Sequence, residues 1–289
     1  MTARPMNAAA AGLRQPLVIA VAPNGARRTH ADHPALPVTP AELAAAAKRC
    51  LDAGAAMLHL HVRRVDGSHS LEAADYRPAV AAVRAAVGDA LVLQLTTEAV
   101  GVYAPPQQMA VIRELQPEAA SMALRELVPD AAHEVAAADF FGWLWRQRVA
   151  AQYILYSAED VARYCELRRR GIIPAGRHWI LFVLGRYTQG QRSAPADLLP
   201  FLQAWQQDAA LTQAVPWAMC AFGAREADCA MAAALMGGHA RIGFENNMLL
   251  PDGRSARDNA ELVATFAGAA ATLGFTLADA DGLRVLCAA

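Results

Sequence analysis

Lysine is almost missing from this chain: of 26 basic residues only Lys48 is a lysine, and the rest are arginines. Schiff-base aldolases and pyridoxal-phosphate enzymes need an active-site lysine amine. Lys48 sits late in an expected amphipathic helix, facing solvent, so both classes are excluded. The phosphate loop GxxxxGK[ST] is also absent. The turn after the first expected strand reads Pro23-Asn24-Gly25-Ala26, which is not the GxGxxG of a dinucleotide fold. The five cysteines (Cys50, Cys165, Cys220, Cys229, Cys287) are scattered, odd in number and never spaced as CxxC. They read as reduced, buried thiols of a cytoplasmic protein. No apolar run approaches the length of a membrane span. A formal net charge of −1 argues against a general binder of nucleic acid or anionic membrane. Met1 to Gln15 is alanine-rich with Arg4 and Arg14 but lacks a continuous apolar stretch, and is read as a flexible tail rather than a secretory signal.

What the chain has in quantity is apolar surface. It is 289 residues long, 55% hydrophobic and 18% charged, enough for one large core. Short apolar runs at Leu17–Ala22, Met57–Val62, Leu91–Thr96, Ala119–Ala123, Ala151–Leu155, Trp179–Leu184, Trp217–Ala221 and Ala240–Phe244 read as parallel strands buried on both faces. Helical stretches follow each of them. Thr39-Pro40-Ala41-Glu42 combines a capping box with proline at the first helical position, and Gly54 stops that helix. Ser157-Ala158-Glu159-Asp160 opens another, closed by Gly171. Gly237-Gly238 ends the helix before the last strand. Eight alternations predict a (β/α)8 barrel over residues 16–289, with a doubly wound sheet as the competing architecture. The aromatic run Phe140–Trp145 falls within a helix and reads as core packing, with a subunit interface as the alternative.

The chemistry concentrates at His59-Leu60-His61. Side chains alternate along a strand, so both imidazoles share a face about 6.6 Å apart at the backbone. From there both can reach one metal ion with bonds of about 2.0–2.1 Å. Merely buried histidines, the other reading, would each need a separate partner in the same small space. On the eighth expected strand Arg241, Gly243 and Glu245 share one parity, and that strand closes beside the first, one strand away from His59 and His61. Glu245 can then complete a His2Glu site with one position left open, or else lie exposed beyond the strand. Arg241, deeper on the same face, either anchors a carboxylate or holds Glu245.

Leu36-Pro37-Val38-Thr39-Pro40, Ala53-Gly54-Ala55-Ala56, His59-Leu60-His61-Val62-Arg63, Gln94-Leu95-Thr96-Thr97, Phe182-Val183-Leu184-Gly185 and Gly237 through Asn247 occur in this order. A chain carrying them resembles the β-keto acid cleavage enzymes, from about Leu17 almost to its end. The resemblance implies a zinc-bearing (β/α)8 barrel and a homotetramer that exchanges acetyl-CoA with a β-keto acid, giving acetoacetate and a new acyl-CoA. It implies zinc on His59, His61 and Glu245. It puts Thr96 and Ser121 on the substrate, and Arg241 beside the metal with position 246 as its catalytic partner.

Three departures bear on the substrate. The family's named member, the 3-keto-5-aminohexanoate cleavage enzyme, resembles this chain but carries glutamate where Arg27 stands. It has Glu-Asp-Asn where Glu245-Asn246-Asn247 is found, and acidic residues on the fifth strand in place of Gln152 and Ile154. An ammonium-bearing substrate wants those carboxylates, whereas Arg27 wants an anion. A β-keto acid with a second anionic terminus, such as a keto-dicarboxylate, is expected if Arg27 points into the barrel mouth. Outward exposure of Arg27 is the alternative. A metal-dependent hydrolase and a metal-binding homologue without turnover are the competing functions.

Overall fold

The computed structural model describes residues 14–176 and 178–288. Eight parallel strands close into a barrel: β1 (Ile19–Val21), β2 (Met57–Leu60), β5 (Val92–Thr96), β6 (Ala119–Ala123), β7 (Ala150–Leu155), β8 (His178–Leu184), β9 (Trp217–Ala221) and β10 (His239–Ile242). A two-stranded antiparallel flap, β3 (Val62–Arg63) with β4 (His69–Ser70), follows β2. The ring closes with β1 between β10 and β2, as expected. Most of the expected tail, residues 1–13, lies outside the described residues.

Alternation along each strand produces two cores. Outward residues such as Ile19, Leu58, Leu93, Tyr153, Phe182 and Met219 pack under the helical layer. Inward residues Ala20, Met57, Val92, Ala119, Trp179, Leu181, Ala218 and Cys220 fill the barrel. The helix Ala280–Ala288 plugs its lower end with Leu283 and Cys287. One layer higher the inward residues turn polar: His59 lies beside Gln94, and Thr96 is in register with Ser121, itself beside Gln152. Polar side chains thus gather at the C-terminal ends of the strands, where barrel enzymes build their sites.

Local signals explain the helices. Thr39 Oγ1 accepts from Glu42 N while Glu42 reaches back to Thr39 N, capping Pro40–Asp52. Lys48 is exposed and pairs with Asp52 one turn on. In the helix Glu134–Arg146, Phe140, Phe141 and Leu144 are buried and Trp143 stacks on Phe140, so this run serves mainly as core. All five cysteines are buried and unpaired.

Two strand ends beside the site stop two residues short of expectation. The ladder of β2 stops at Leu60, because Val62 and Arg63 leave the barrel to pair with the flap. β10 stops at Ile242, not Phe244, because Gly243 takes φ +140° with its Cα side packed against Ala22 O. The parity argument therefore does not carry to Glu245, which lies in a turn.

Candidate metal centre and active site

That turn nonetheless delivers Glu245 to the histidines. Its backbone N–H donates to Ala22 O at 3.1 Å, tying it to the end of β1. Phe244 N–H donates to Asn259 Oδ1, and Asn259 in turn donates to Pro23 O. Glu245 Oε2 comes to 3.3 Å from His61 Nε2 and 3.5 Å from His59 Nε2, and the two imidazole nitrogens are 3.0 Å apart. In a tetrahedral site with bonds of about 2.0–2.1 Å, ligand atoms stand about 3.3 Å from one another. The triangle therefore has the dimensions of one face of such a site. Among the described residues, Glu245 Oε2 has no hydrogen-bond donor. A buried carboxylate oxygen with no donor, facing two ring nitrogens, is the donor set a divalent ion would satisfy.

Neighbouring groups fix the protonation that metal binding needs. Gln94 Oε1 lies 2.8 Å from His59 Nδ1; an amide oxygen only accepts, so the proton sits on Nδ1 and Nε2 keeps its lone pair. Gln94 is held in turn, its Nε2 donating to Gln152 Oε1 at 3.1 Å. Burial lowers the His59 pKa to about 3, with Arg241 and His61 adding to the effect and Glu245 opposing it. Burial raises the Glu245 pKa, but Arg241 and both histidines hold it well below the ordinary carboxylate value. Arg241 NH2 donates to Glu245 Oε1 and to Asn246 Oδ1, each at 2.9 Å.

A small chamber of about 20 Å³ opens beside the triangle. It is lined by Thr96, Ser121 and Arg241 together with Glu98, Glu126, Tyr156 and Arg186. Thr96 Oγ1 accepts from Glu98 N at 3.0 Å, leaving its own proton free to donate. Arg186 and Glu98 pair at 3.3 Å across the chamber, which keeps it narrow. Arg27 is not in this chamber. It is exposed on an outer cleft of about 90 Å³, shared with Arg28, Arg186, Glu98 and Glu245. Arg186 borders both spaces.

Sequence reasoning thus brought together His59, His61, Glu245, Thr96, Ser121 and Arg241. It missed Glu98, Glu126, Arg186 and the role of Gln94. Gln94 had a signal: it shares parity with Thr96 and lies in register with His59. Glu98 continues that parity past the strand. Glu126 carries a carboxyl whose pKa is raised by burial despite donors from Ala99 N and Gln108 Nε2. The chamber is therefore not free of acids, with Glu98 and Glu126 in its wall.

The family model for β-keto acid cleavage enzymes matches residues 16–287. The chain belongs to this family. It is 28% identical over 279 residues to a 3-keto-5-aminohexanoate cleavage enzyme of Fusobacterium nucleatum, covering 94% of this chain and 97% of that one. It is 25% identical over 283 residues to a 3-oxoadipate:acetyl-CoA acetyltransferase of Cupriavidus necator, covering 95% of each chain. In fold it is similar to ObcA in a ternary complex with a C4-CoA adduct and oxalate. That match has a TM-score of 0.71 at 18% identity and covers 88% of this chain and 67% of that one. Among the described residues no helix is long and apolar enough to cross a membrane.

Proposed function

We propose that the protein is a zinc-dependent acyltransferase that exchanges the acyl group of a β-keto acid with acetyl-CoA. The observation that carries this is the triangle of His59 Nε2, His61 Nε2 and Glu245 Oε2, open toward Thr96, Ser121 and Arg241. In the reaction the bond between the keto carbon and the CH2–COO⁻ group breaks. The same CH2 carbon forms a bond to the acetyl carbonyl carbon, and the coenzyme thiolate takes the remaining acyl group. The products, acetoacetate and a new acyl-CoA, balance without an oxidant or a net proton.

His59, His61 and Glu245 would hold a divalent ion, which when bound would supply Lewis-acid polarisation of a keto oxygen. The Thr96 and Ser121 hydroxyls orient the reacting carboxylate by hydrogen bonds. Arg241, buried and held by Glu245 and Asn246, supplies fixed positive charge beside the triangle. Glu98 holds the Arg186 guanidinium at the chamber wall, so an incoming anion competes with Glu98 for it.

The distal end of the substrate is best matched by an anion. Arg27, Arg28 and Arg186 share the outer cleft, and Arg27 offers up to five donors there. The relative named for 3-oxoadipate acts on a keto-dicarboxylate, which supports this polarity. The test is zinc-loaded protein given acetyl-CoA and β-keto acids of equal length ending in carboxylate, methyl or ammonium, with acetoacetate measured. Preference for the carboxylate, lost in Arg27→Glu, is expected. Preference for the ammonium acid, unchanged by Arg27→Glu, overturns the substrate assignment, and no product from any acid overturns the activity.

A further inference from the structure

Glu226 opens the helix Glu226–Leu235 after β9 and is 1% exposed. Its Oε1 accepts from Gly243 N and from Asn246 Nδ2, each at 3.1 Å, and its Oε2 from Asn247 Nδ2 at 3.5 Å. The three residues it holds flank Glu245 in the turn. Among the described residues Glu226 makes no ion pair closer than 4.0 Å. Burying a carboxyl without a cationic partner costs stability and calls for another reason.

That reason lies at Asn246. Its side chain joins two groups that must not be confused. Oδ1 faces the Arg241 guanidinium, which only donates, at 2.9 Å. Nδ2 faces Glu226 Oε1 and the Arg241 carbonyl at 3.3 Å, which only accept there. A flipped amide would set NH2 against guanidinium and carbonyl oxygen against Glu226. We propose that Glu226 is a positioning residue for the acyl exchange, acting through Asn246: by accepting from Nδ2 it locks Oδ1 onto Arg241 and fixes the guanidinium beside Glu245. Burial pushes the Glu226 carboxyl up to about 8, against the N–H donors that draw it down. The lock does not depend on that balance, because Oε1 receives its two N–H bonds whether or not Oε2 carries a proton.

The lock needs an acceptor at position 226, not a charge. Glu226→Gln keeps an oxygen that accepts from Gly243 N and Asn246 Nδ2, as a protonated carboxyl does. Glu226→Leu removes both oxygens and leaves Asn246 Nδ2 with the Arg241 carbonyl alone.

This inference rests on the proposed acyl exchange for its kinetic arm only. Wild type, Glu226→Leu and Glu226→Gln are loaded with zinc and compared for kcat, KM and metal content. Hydrogen exchange of the Arg241 guanidinium is followed by NMR with ¹⁵N-arginine and assigned through Arg241→Lys. Glu226→Leu is expected to lower kcat about 10–100-fold with KM and zinc content little changed, and to speed guanidinium exchange. The conservative Glu226→Gln is expected to recover most of both losses. Wild-type kcat and exchange in Glu226→Leu would overturn the proposal, as would a Glu226→Gln variant no better than Glu226→Leu. If wild-type protein turns over no β-keto acid the activity assignment fails, while the exchange measurement still decides the role of Glu226.

Discussion

Gly25→Ala tests the metal centre without touching a ligand. Gly25 has φ +62°, and a Cβ built there lies 2.5 Å from Glu245 Cγ, 3.1 Å from its Cβ and 3.3 Å from its Cδ. Carbon atoms pack at about 3.5–4.0 Å, so Glu245 must retreat by roughly 1 Å. The near end of the side chain is struck, not its flexible tip, and Glu245 is anchored through its backbone to Ala22. The retreat therefore moves the carboxylate well beyond the ~0.2 Å tolerance of a metal–ligand bond. Alanine in the left-handed region also costs about 1–2 kcal/mol. Gly274, at φ +81° with nothing within 4 Å of its built Cβ, pays the same strain remote from the site. Both variants should melt about 2–6 °C lower. Only Gly25→Ala should lose zinc affinity, by at least the ~10–100-fold that follows loss of an outer partner. Competition against a chromophoric chelator measures this directly. Equal zinc affinity in the two variants would remove Glu245 from the ligand set.

A His59→Ala/His61→Ala variant should fold but bind no stoichiometric zinc by elemental analysis; full occupancy would refute the site. Arg241→Ala should lower turnover of the best β-keto acid by about 10²–10³-fold, and near-normal rates would assign Arg241 a purely structural role. Stability should fall on acidification between about pH 6.5 and 4. Burial lowers the pKa of both His178 and His239 to about 4, against about 6.5 in the unfolded chain. Between those values the unfolded chain binds more protons, so unfolding free energy rises with pH across this window. His178 accepts from Tyr164 OH at 2.6 Å and donates to Gly176 O, a pattern only the neutral ring satisfies. Urea midpoints should therefore depend less on pH in His178→Gln; an unchanged slope would refute the assignment.

The barrel and half of its site were legible from sequence because they rest on local rules. Continuous apolar runs mark strands buried on both faces, and period-two alternation put His59 and His61 on one side. The Thr39 and Ser157 caps are satisfied within three residues of themselves. Elsewhere, local rules pointed to a residue that the fold brings to the site by another route. Glu245 was assigned by strand parity, yet it reaches the histidines from a turn that Gly243 starts against the Ala22 carbonyl and Asn259 braces. Arg27 was read toward the barrel mouth, and the fold leaves it exposed on an outer cleft while Arg186 borders the chamber. Glu226 carried no sequence signal, because its partners stand 17 to 21 residues on and meet it only when β9 and β10 lie side by side. Sequence determined which faces are buried, since burial follows the period of the backbone. Tertiary structure decided which polar groups meet, since loop conformation and strand neighbourhood are set by contacts between residues far apart in the chain.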